Sequence, residues 1–333
     1  MMFCNLKIMG VGIYHPKNEI DNKYFVEHFK KMNKDPRPLL KHLGRERRFK
    51  VKKFGNENSL TMALEASKKA IADANIDVDD IDMIVFASDF PEYVSPSNAL
   101  MISSKLNSRA NIVFDMNSNC ISMISALDII DSYIKNKDIN NVLLVSSCMI
   151  TPFAREDDIV VYPTTADAAA AVILQKIPEK KRSGVIDSGF YTDCSYNWTI
   201  KNPACGFSRI TDNSVDAKMK MMEWNQFDFS FLSDNWCKLI YNLLDKNSLT
   251  PEDVSLYLFS QFSKADILAT IEKLNVMEER IIYVGNKYGY TGPTSPILAL
   301  NEAKKTNKIV EGSYAILCSV GSGYTMGALL YKF

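Results

Sequence analysis

Residues 115–130 read DMNSNCISMISALDII, and the reading of this stretch decides the fold. It runs on from the apolar segment NIVFDM (111–116), which predicts a strand, into ISMISALDIIDSYIK (121–135), whose apolar residues recur at helical spacing. Cys120 stands at the junction. Unpaired backbone N–H groups and the dipole at a helix start favour a thiolate there and lower its pKa. The same N–H groups can hold an oxyanion that forms on an attacked carbonyl. Free cysteine is also among the most buried residue types, so a small core side chain is the competing reading.

Outward from this junction, strand and helix patterns alternate along the chain, which predicts an α/β protein with much parallel sheet. KIMGVGIY (7–14), DMIVFASD (82–89) and NVLLVSS (141–147) read as strands. DAAAAVIL (167–174), rich in small residues, reads as a strand with close neighbours on both faces. SLTMALEASKKAIADANI (59–76) reads as a helix capped by Ser59, and a further helix is expected after Pro96. In the second half, 232–246, 264–275 and SPILALNEAKKTN (295–307) read as helices. SLYLFSQF (255–262) and RIIYVG (280–285) read as strands, and GSYAILCSVG with TMGALLYKF closes the chain as a strand pair. The irregular stretch 180–235 holds AKMKMMEWNQFDF, whose methionines more often fill a core or line an apolar pocket than bind metal. The shared rhythm of the two halves predicts a duplicated architecture dividing near residue 177.

The 333 residues exceed what one small core absorbs, so one large or two paired domains are expected. With 39 basic and 39 acidic side chains the formal net charge is zero, which gives no global attraction to nucleic acid or an anionic membrane. No apolar stretch approaches the roughly 18 residues of a membrane span. The N-terminus lacks the basic segment and cleavage site of a signal peptide. Seven scattered cysteines without a CxxC pair argue against a disulfide framework or zinc site and for a reduced, cytoplasmic setting. There is no phosphate-binding GxxxxGK[ST], no GxGxxG opening a helix and no HExxH. Histidine occurs only at 15, 28 and 42, so a histidine-based acid–base system would have to draw on those three. The glycines of SVGSGYTMG (319–327) allow backbone to pass close to a ligand or another chain, or simply turn a hairpin.

Taken in order, several segments resemble the ketoacyl-ACP synthase III family of the thiolase superfamily across nearly the whole chain. GVGIYHP resembles the family's opening strand and turn, and GRERRF (44–49) its Gly-Ile-x-x-Arg segment. FDMNSNCISMISAL is similar to the segment around the nucleophilic cysteine, and TADAAAAVIL to a Gly-Asp-Gly-Ala stretch. YGYTGPTSPILAL is similar to the asparagine loop, and SVGSGYTMGALLYKF to the C-terminal glycine loop and last strand.

The resemblance implies a thiolase-like five-layered αβαβα duplication. Its N-terminal half (1–177) would carry the nucleophilic cysteine. Its C-terminal half (178–333) would carry the family's His and Asn positions and the glycine loop. It implies a homodimer as a rule, with a heterodimer beside another ketosynthase-like subunit as the variant. It also implies acyl-CoA or acyl-carrier protein as substrate, no tightly bound cofactor and no metal. In the family the cysteine takes an acyl group, and a histidine and an asparagine stabilise the enolate left when malonyl-carrier protein loses CO₂. Cys120 falls on the nucleophile, and Ser322 on the loop position whose backbone N–H completes the oxyanion hole.

Two positions depart from the family. Its His-Gln-Ala-Asn becomes Ser260-Gln261-Phe262-Ser263, so Ser260 stands at the histidine position. Its Gly-Asn-Thr-Ser becomes Gly289-Tyr290-Thr291-Gly292, so Tyr290 stands at the asparagine position. Both hydroxyls can donate a hydrogen bond, but neither is a useful base at neutral pH. By the same resemblance Lys41 lies near a coenzyme A contact, Lys264 near a carrier-protein docking position, and Ser95 in the segment that gates the acyl pocket. The expected function is an acyltransferase in which Cys120, helped by the helix start alone, accepts an acyl group and passes it to an acceptor without ordinary malonyl decarboxylation. Carbon–carbon condensation as in the family, and a non-catalytic subunit of a heterodimer, are the alternatives.

Overall fold

The structure, a computed structural model, describes residues 2–135 and 137–333. Nine strands form its two main sheets. The first holds β1 (Phe3–Tyr14), β2 (Met83–Ala87), β3 (Ile112–Met116), β4 (Asn141–Cys148) and β5 (Ala168–Glu179) in the order β1-β5-β4-β2-β3. The second holds β6 (Gly184–Thr192), β7 (Val254–Phe259), β8 (Tyr314–Gly321) and β9 (Thr325–Lys332) in the order β7-β8-β9-β6.

Both sheets follow one pairing rule. In the first, β1 is antiparallel to β5 and β5 to β4, whereas β4, β2 and β3 run parallel. In the second, β6 is antiparallel to β9 and β9 to β8, whereas β8 and β7 run parallel. Tyr257 on β7 then bridges Ile281 in parallel, where the first sheet has β3. The segment 280–285 is thus a single bridge rather than the expected strand. The reason is local: Gln261 Oε1 accepts from the N–H groups of Val284 and Gly285, and Gln261 Nε2 donates to Ile282 O. A side chain satisfies groups that a strand would have spent on its ladder.

Among the described residues six of the longer helices pack on these sheets: α1 (Ser59–Ala74), α2 (Asn98–Leu106), α3 (Ser122–Ile134), α4 (Leu232–Lys246), α5 (Lys264–Lys273) and α6 (Ser295–Lys305). Helices α1 and α2 cover the outer face of the first sheet, α4 lies on the outer face of the second with α5 against it, and α3 and α6 touch strands of both. The result is five layers, αβαβα. The cap of α1 is Asn58 rather than Ser59: Asn58 Oδ1 accepts from Thr61 N at 2.9 Å and Thr61 Oγ1 from Asn58 N at 2.8 Å. Ser59 is the first helical residue and its hydroxyl donates to Phe90 O.

Side-chain alternation explains the small residues of β5. Ala168, Ala170, Val172 and Leu174 join the core around α3 and α6, whereas Ala169, Ala171 and Ile173 face the core under α1. Gly10 and Gly12 on β1 serve the same packing, because a Cβ at either would lie within 2.2 Å of a carbonyl oxygen of α1. Helix α4 buries Trp236, Leu239, Ile240, Leu243 and Leu244, the three-and-four spacing of a one-sided amphipathic helix.

Candidate active site

The parallel strands of both sheets direct their carboxyl ends at one region, the usual place for a site in such sheets. Asp89 follows β2, Cys120 follows β3, Ser260 follows β7 and Ser322 follows β8. Tyr290 enters from the loop ahead of α6, held by backbone hydrogen bonds from Tyr290 N to Thr164 O and from Ala166 N to Tyr290 O. Cys120, Asp89, Tyr290 and Ser322 line a cavity of about 500 Å³.

Cys120 precedes α3 by two residues, after Asn119 in the left-handed conformation (φ 55°). The N–H groups of Ile121 and Ser122 are taken by Ser118 O and Asn119 O. The expected stabilised thiolate is therefore not what this junction provides. Burial pushes the Cys120 thiol well above its ordinary pKa, the neighbouring Asp89 carboxylate adds to the rise, and the Tyr290 hydroxyl and the Ser322 N–H offset it only in part. The glycine loop is tied to the cysteine turn at two points: Asn119 Nδ2 donates to Ser322 O at 3.0 Å, and Ser319 Oγ to Cys120 O at 3.0 Å. A Cβ on Gly321 would stand 3.2 Å from Cys120 N, so glycine is what lets the loop close on the Cys120 amide. The Ser322 backbone N–H thereby reaches the Cys120 sulfur.

Tyr290 and Ser260 stand together behind the sulfur. The Tyr290 phenol is pushed well above its ordinary pKa by burial, with Cys120 beside it adding to the rise and Ser260 on its other side opposing it. Ser260 Oγ is buried and has no partner among the described residues. The loop bearing Ser260 is pinned from GRERRF: Arg45 donates to Gln261 O and Phe262 O at 2.7 Å each, to Leu43 O and to the Tyr283 hydroxyl. The Asp167 carboxylate fastens the start of β5 by accepting from Val51 N and Thr151 N.

The cavity wall is apolar. Met222, Trp224, Phe227 and Phe229 come from the irregular stretch, and Phe262 packs edge-on to Tyr290 at 5.4 Å. A two-stranded ribbon, Glu223–Trp224 on Ile200–Lys201, presents part of that wall. Of the three histidines, His15 stacks on Phe49 and His28 bonds Glu156 O, while His42 lines the cavity. Lys41 and Ser95 are exposed and Lys264 is half-buried with its ammonium over the Tyr283 ring; none of the three lines the cavity.

Asp89 is the site residue that sequence reasoning missed. Its signal was an acid two residues beyond Met83–Ala87, a strand buried along its whole length. The Cys120 thiol donates to Asp89 Oδ2 at 3.5 Å. Burial holds the carboxyl up at about 6. Among the described residues no group of three or more His, Cys, Asp or Glu side chains is placed to hold a metal, and no helix is long and apolar enough to cross a membrane. All seven cysteines are free thiols.

Two sheets of matching topology whose parallel strands end around Cys120 define a thiolase-like fold. The family profile of 3-oxoacyl-[acyl-carrier-protein (ACP)] synthase III matches residues 114–194, and that of the same family's C terminal matches 244–333. The chain belongs to the 3-oxoacyl-[acyl-carrier-protein] synthase III family. It is 28% identical over 329 residues to beta-ketoacyl-[acyl-carrier-protein] synthase III of Aquifex aeolicus (strain VF5), covering 98% of this chain and 99% of the relative. Against the same-named protein of Coxiella burnetii (strain RSA 493 / Nine Mile phase I) it is 28% identical over 327 residues, covering 98% of each. The crystal structure of 3-oxoacyl-[acyl-carrier-protein] synthase III from Aquifex aeolicus VF5 superposes with a TM-score of 0.86 at 26% identity, over 99% of this chain and 100% of that one. The priming beta-ketosynthase from the R1128 polyketide biosynthetic pathway shares the fold at 18% identity, with a TM-score of 0.87 over 99% of this chain and 96% of that one.

Proposed function

We propose that the chain is a Cys120-dependent acyltransferase. Cys120 takes an acyl group from a carrier-protein or coenzyme A thioester and passes it to an amine, hydroxyl or thiol acceptor, without ordinary malonyl decarboxylation. The observation that carries this reading is the company Cys120 keeps. The Ser322 N–H reaches the sulfur on one side, and beside it stand Tyr290 and Ser260, where the family resemblance leads one to expect an enolate-stabilising asparagine and histidine. Loss of a positioned acid–base group costs about 10²–10⁴ in rate. Loss of a single oxyanion donor costs about 10²–10³. A heteroatom acceptor attacks the acyl-cysteine with no enolate to stabilise, so that step has no need of the donors that decarboxylation requires. The apolar wall from Met222 to Phe229 suits an acyl chain. A carrier protein as donor, a homodimer as assembly and a cytoplasmic setting belong to the same reading.

The test is intact-protein mass spectrometry after incubation with acyl-CoA and acyl-carrier protein. An adduct that Cys120→Ala abolishes supports the proposal, and no adduct with any donor overturns it. Relatives named as beta-ketoacyl synthases over 98% of the chain favour a second reading, carbon–carbon condensation. Release of CO₂ from malonyl-carrier protein by the wild type, lost in Cys120→Ala, would establish that reading instead.

A further inference from the structure

We propose that Asp89 is the general base and acid that works with Cys120, standing in for the absent histidine from the opposite sheet. The inference rests on the acyl-transfer reading and gives it the proton acceptor it lacks.

The placement is rigid. On one side Ser88 Oγ donates to Ser147 O and accepts from Phe90 N; on the other, Phe90 O accepts from Ser59 Oγ. The residue between them is left pointing into the cavity, with Oδ2 at 3.5 Å from the sulfur that reacts. Its bonding sets it apart from the buried Asp167 and the half-buried Asp115, which hold the fold. Asp167 accepts from Thr151 N, Thr151 Oγ1 and Val51 N, and Asp115 from Asn98 N, Asn98 Nδ2 and Ala99 N. Asp89 Oδ1, although enclosed, has no hydrogen-bond partner among the described residues. A buried carboxylate oxygen left open is costly unless function uses it. The titratable groups facing Asp89 are Cys120, Cys148 and Tyr290, and burial keeps all three neutral, so no cation holds the carboxylate for structural reasons. Its pKa of about 6 leaves it ionised, yet a better base than an exposed carboxylate, at neutral pH.

The steps balance. As Cys120 sulfur attacks the donor's thioester carbonyl, the thiol proton passes to Asp89 Oδ2. The oxyanion rests on the Cys120 and Ser322 N–H groups. On collapse the carbon–sulfur bond to the donor breaks, and the departing thiolate takes the proton back from Asp89. In the second half the open Oδ1 accepts the proton of the incoming amine, hydroxyl or thiol as it attacks the acyl-cysteine, and the carboxyl returns that proton to the Cys120 thiolate. Acyl thioester and acceptor become free thiol and acylated acceptor, with no oxidant or further reactant.

The experiment measures two rates on the full chain, wild type, Asp89→Asn and Asp89→Glu. One is acylation of Cys120 by acetyl-CoA, octanoyl-CoA and octanoyl-carrier protein; the other is alkylation of Cys120 by iodoacetamide. At pH 7 Asp89→Asn is expected to slow acylation by about 10²–10⁴. It is expected to alkylate faster than wild type, because removing the negative neighbour favours the thiolate, and Asp89→Glu is expected to recover part of the acylation. Acylation of Asp89→Asn at the wild-type rate overturns the inference while leaving acyl transfer intact. Loss of both acylation and alkylation in both variants also overturns it, since that marks a structural residue. If wild-type protein takes no acyl group from any donor, both readings fail together.

Discussion

The Cys120 thiol and the Asp89 carboxylate, 3.5 Å apart, hold each other in their resting forms. The carboxylate raises the thiol's pKa, and burial raises the pKa of the carboxyl. A stability consequence follows from linkage. The native carboxyl titrates at about 6 whereas an unfolded aspartate titrates near its model value of 3.8. Between those values the native state keeps a proton that the unfolded state has lost, so stability falls as pH rises through this window. Above pH 6 the full cost is present, at most about 3 kcal/mol. Asp89→Asn should therefore be more stable than wild type at pH 7.5 and about equal to it at pH 4, read by urea unfolding at the two pH values.

The rate of Cys120 acylation by wild-type protein should rise as pH passes through about 6, where Asp89 ionises, and then level off. In Asp89→Asn that limb should vanish. Its rate should instead keep climbing with pH, tracking a thiol whose burial keeps its pKa high. Single-turnover acylation across pH 5–9 checks this.

Restoring the family's residues should restore its chemistry only as a pair. Ser260 is wholly buried, so Ser260→His alone has no room beside the Tyr290 ring, and Tyr290→Asn alone supplies no base. The double substitution exchanges volume between neighbouring positions. It should raise CO₂ release from malonyl-carrier protein by about 10² or more over wild type, the worth of one acid–base group.

Gln261→Leu should destabilise the fold by at least about 3 kcal/mol. It removes the donors to Phe259 O and Ile282 O and the acceptor for the Val284 and Gly285 N–H groups, all in the interior. Denaturant unfolding reads the loss directly, and the same substitution should loosen the loop that carries Ser260.

Gly321→Val should leave the fold standing but slow acylation. Its side chain would begin 3.0 Å from Asn119 Cβ and 3.2 Å from Cys120 N, pushing the loop and the Ser322 N–H away from the sulfur. A fall of about 10²–10³, the worth of one oxyanion donor, is expected, with little change in melting temperature.

Periodicity made most of the elements legible. A run of small apolar residues marked β5, and helical spacing marked α1, α3 and α4, because each buries a face that composition must match. The strand expected at 280–285 was lost to one side chain, Gln261, which a local pattern does not reveal. At the site, the segment around Cys120 and the glycine loop were readable as motifs, because a close backbone approach needs glycine wherever it occurs.

The sequence by itself determined that strand, cysteine and helix follow one another, that Ser260 and Tyr290 stand where the family resemblance leads one to expect histidine and asparagine, and that no phosphate-loop or zinc-site motif is present. Only the tertiary structure decided the state of the thiol. Asp89 lies 31 residues from Cys120 in the chain and meets it because β2 and β3 are parallel neighbours whose carboxyl ends open on the same cavity. A pKa depends on what surrounds a group in space, and those neighbours arrive from separate strands of two sheets. Helix α3 alone would have suggested a thiolate; burial beside Asp89 makes Cys120 a thiol with a carboxylate at hand.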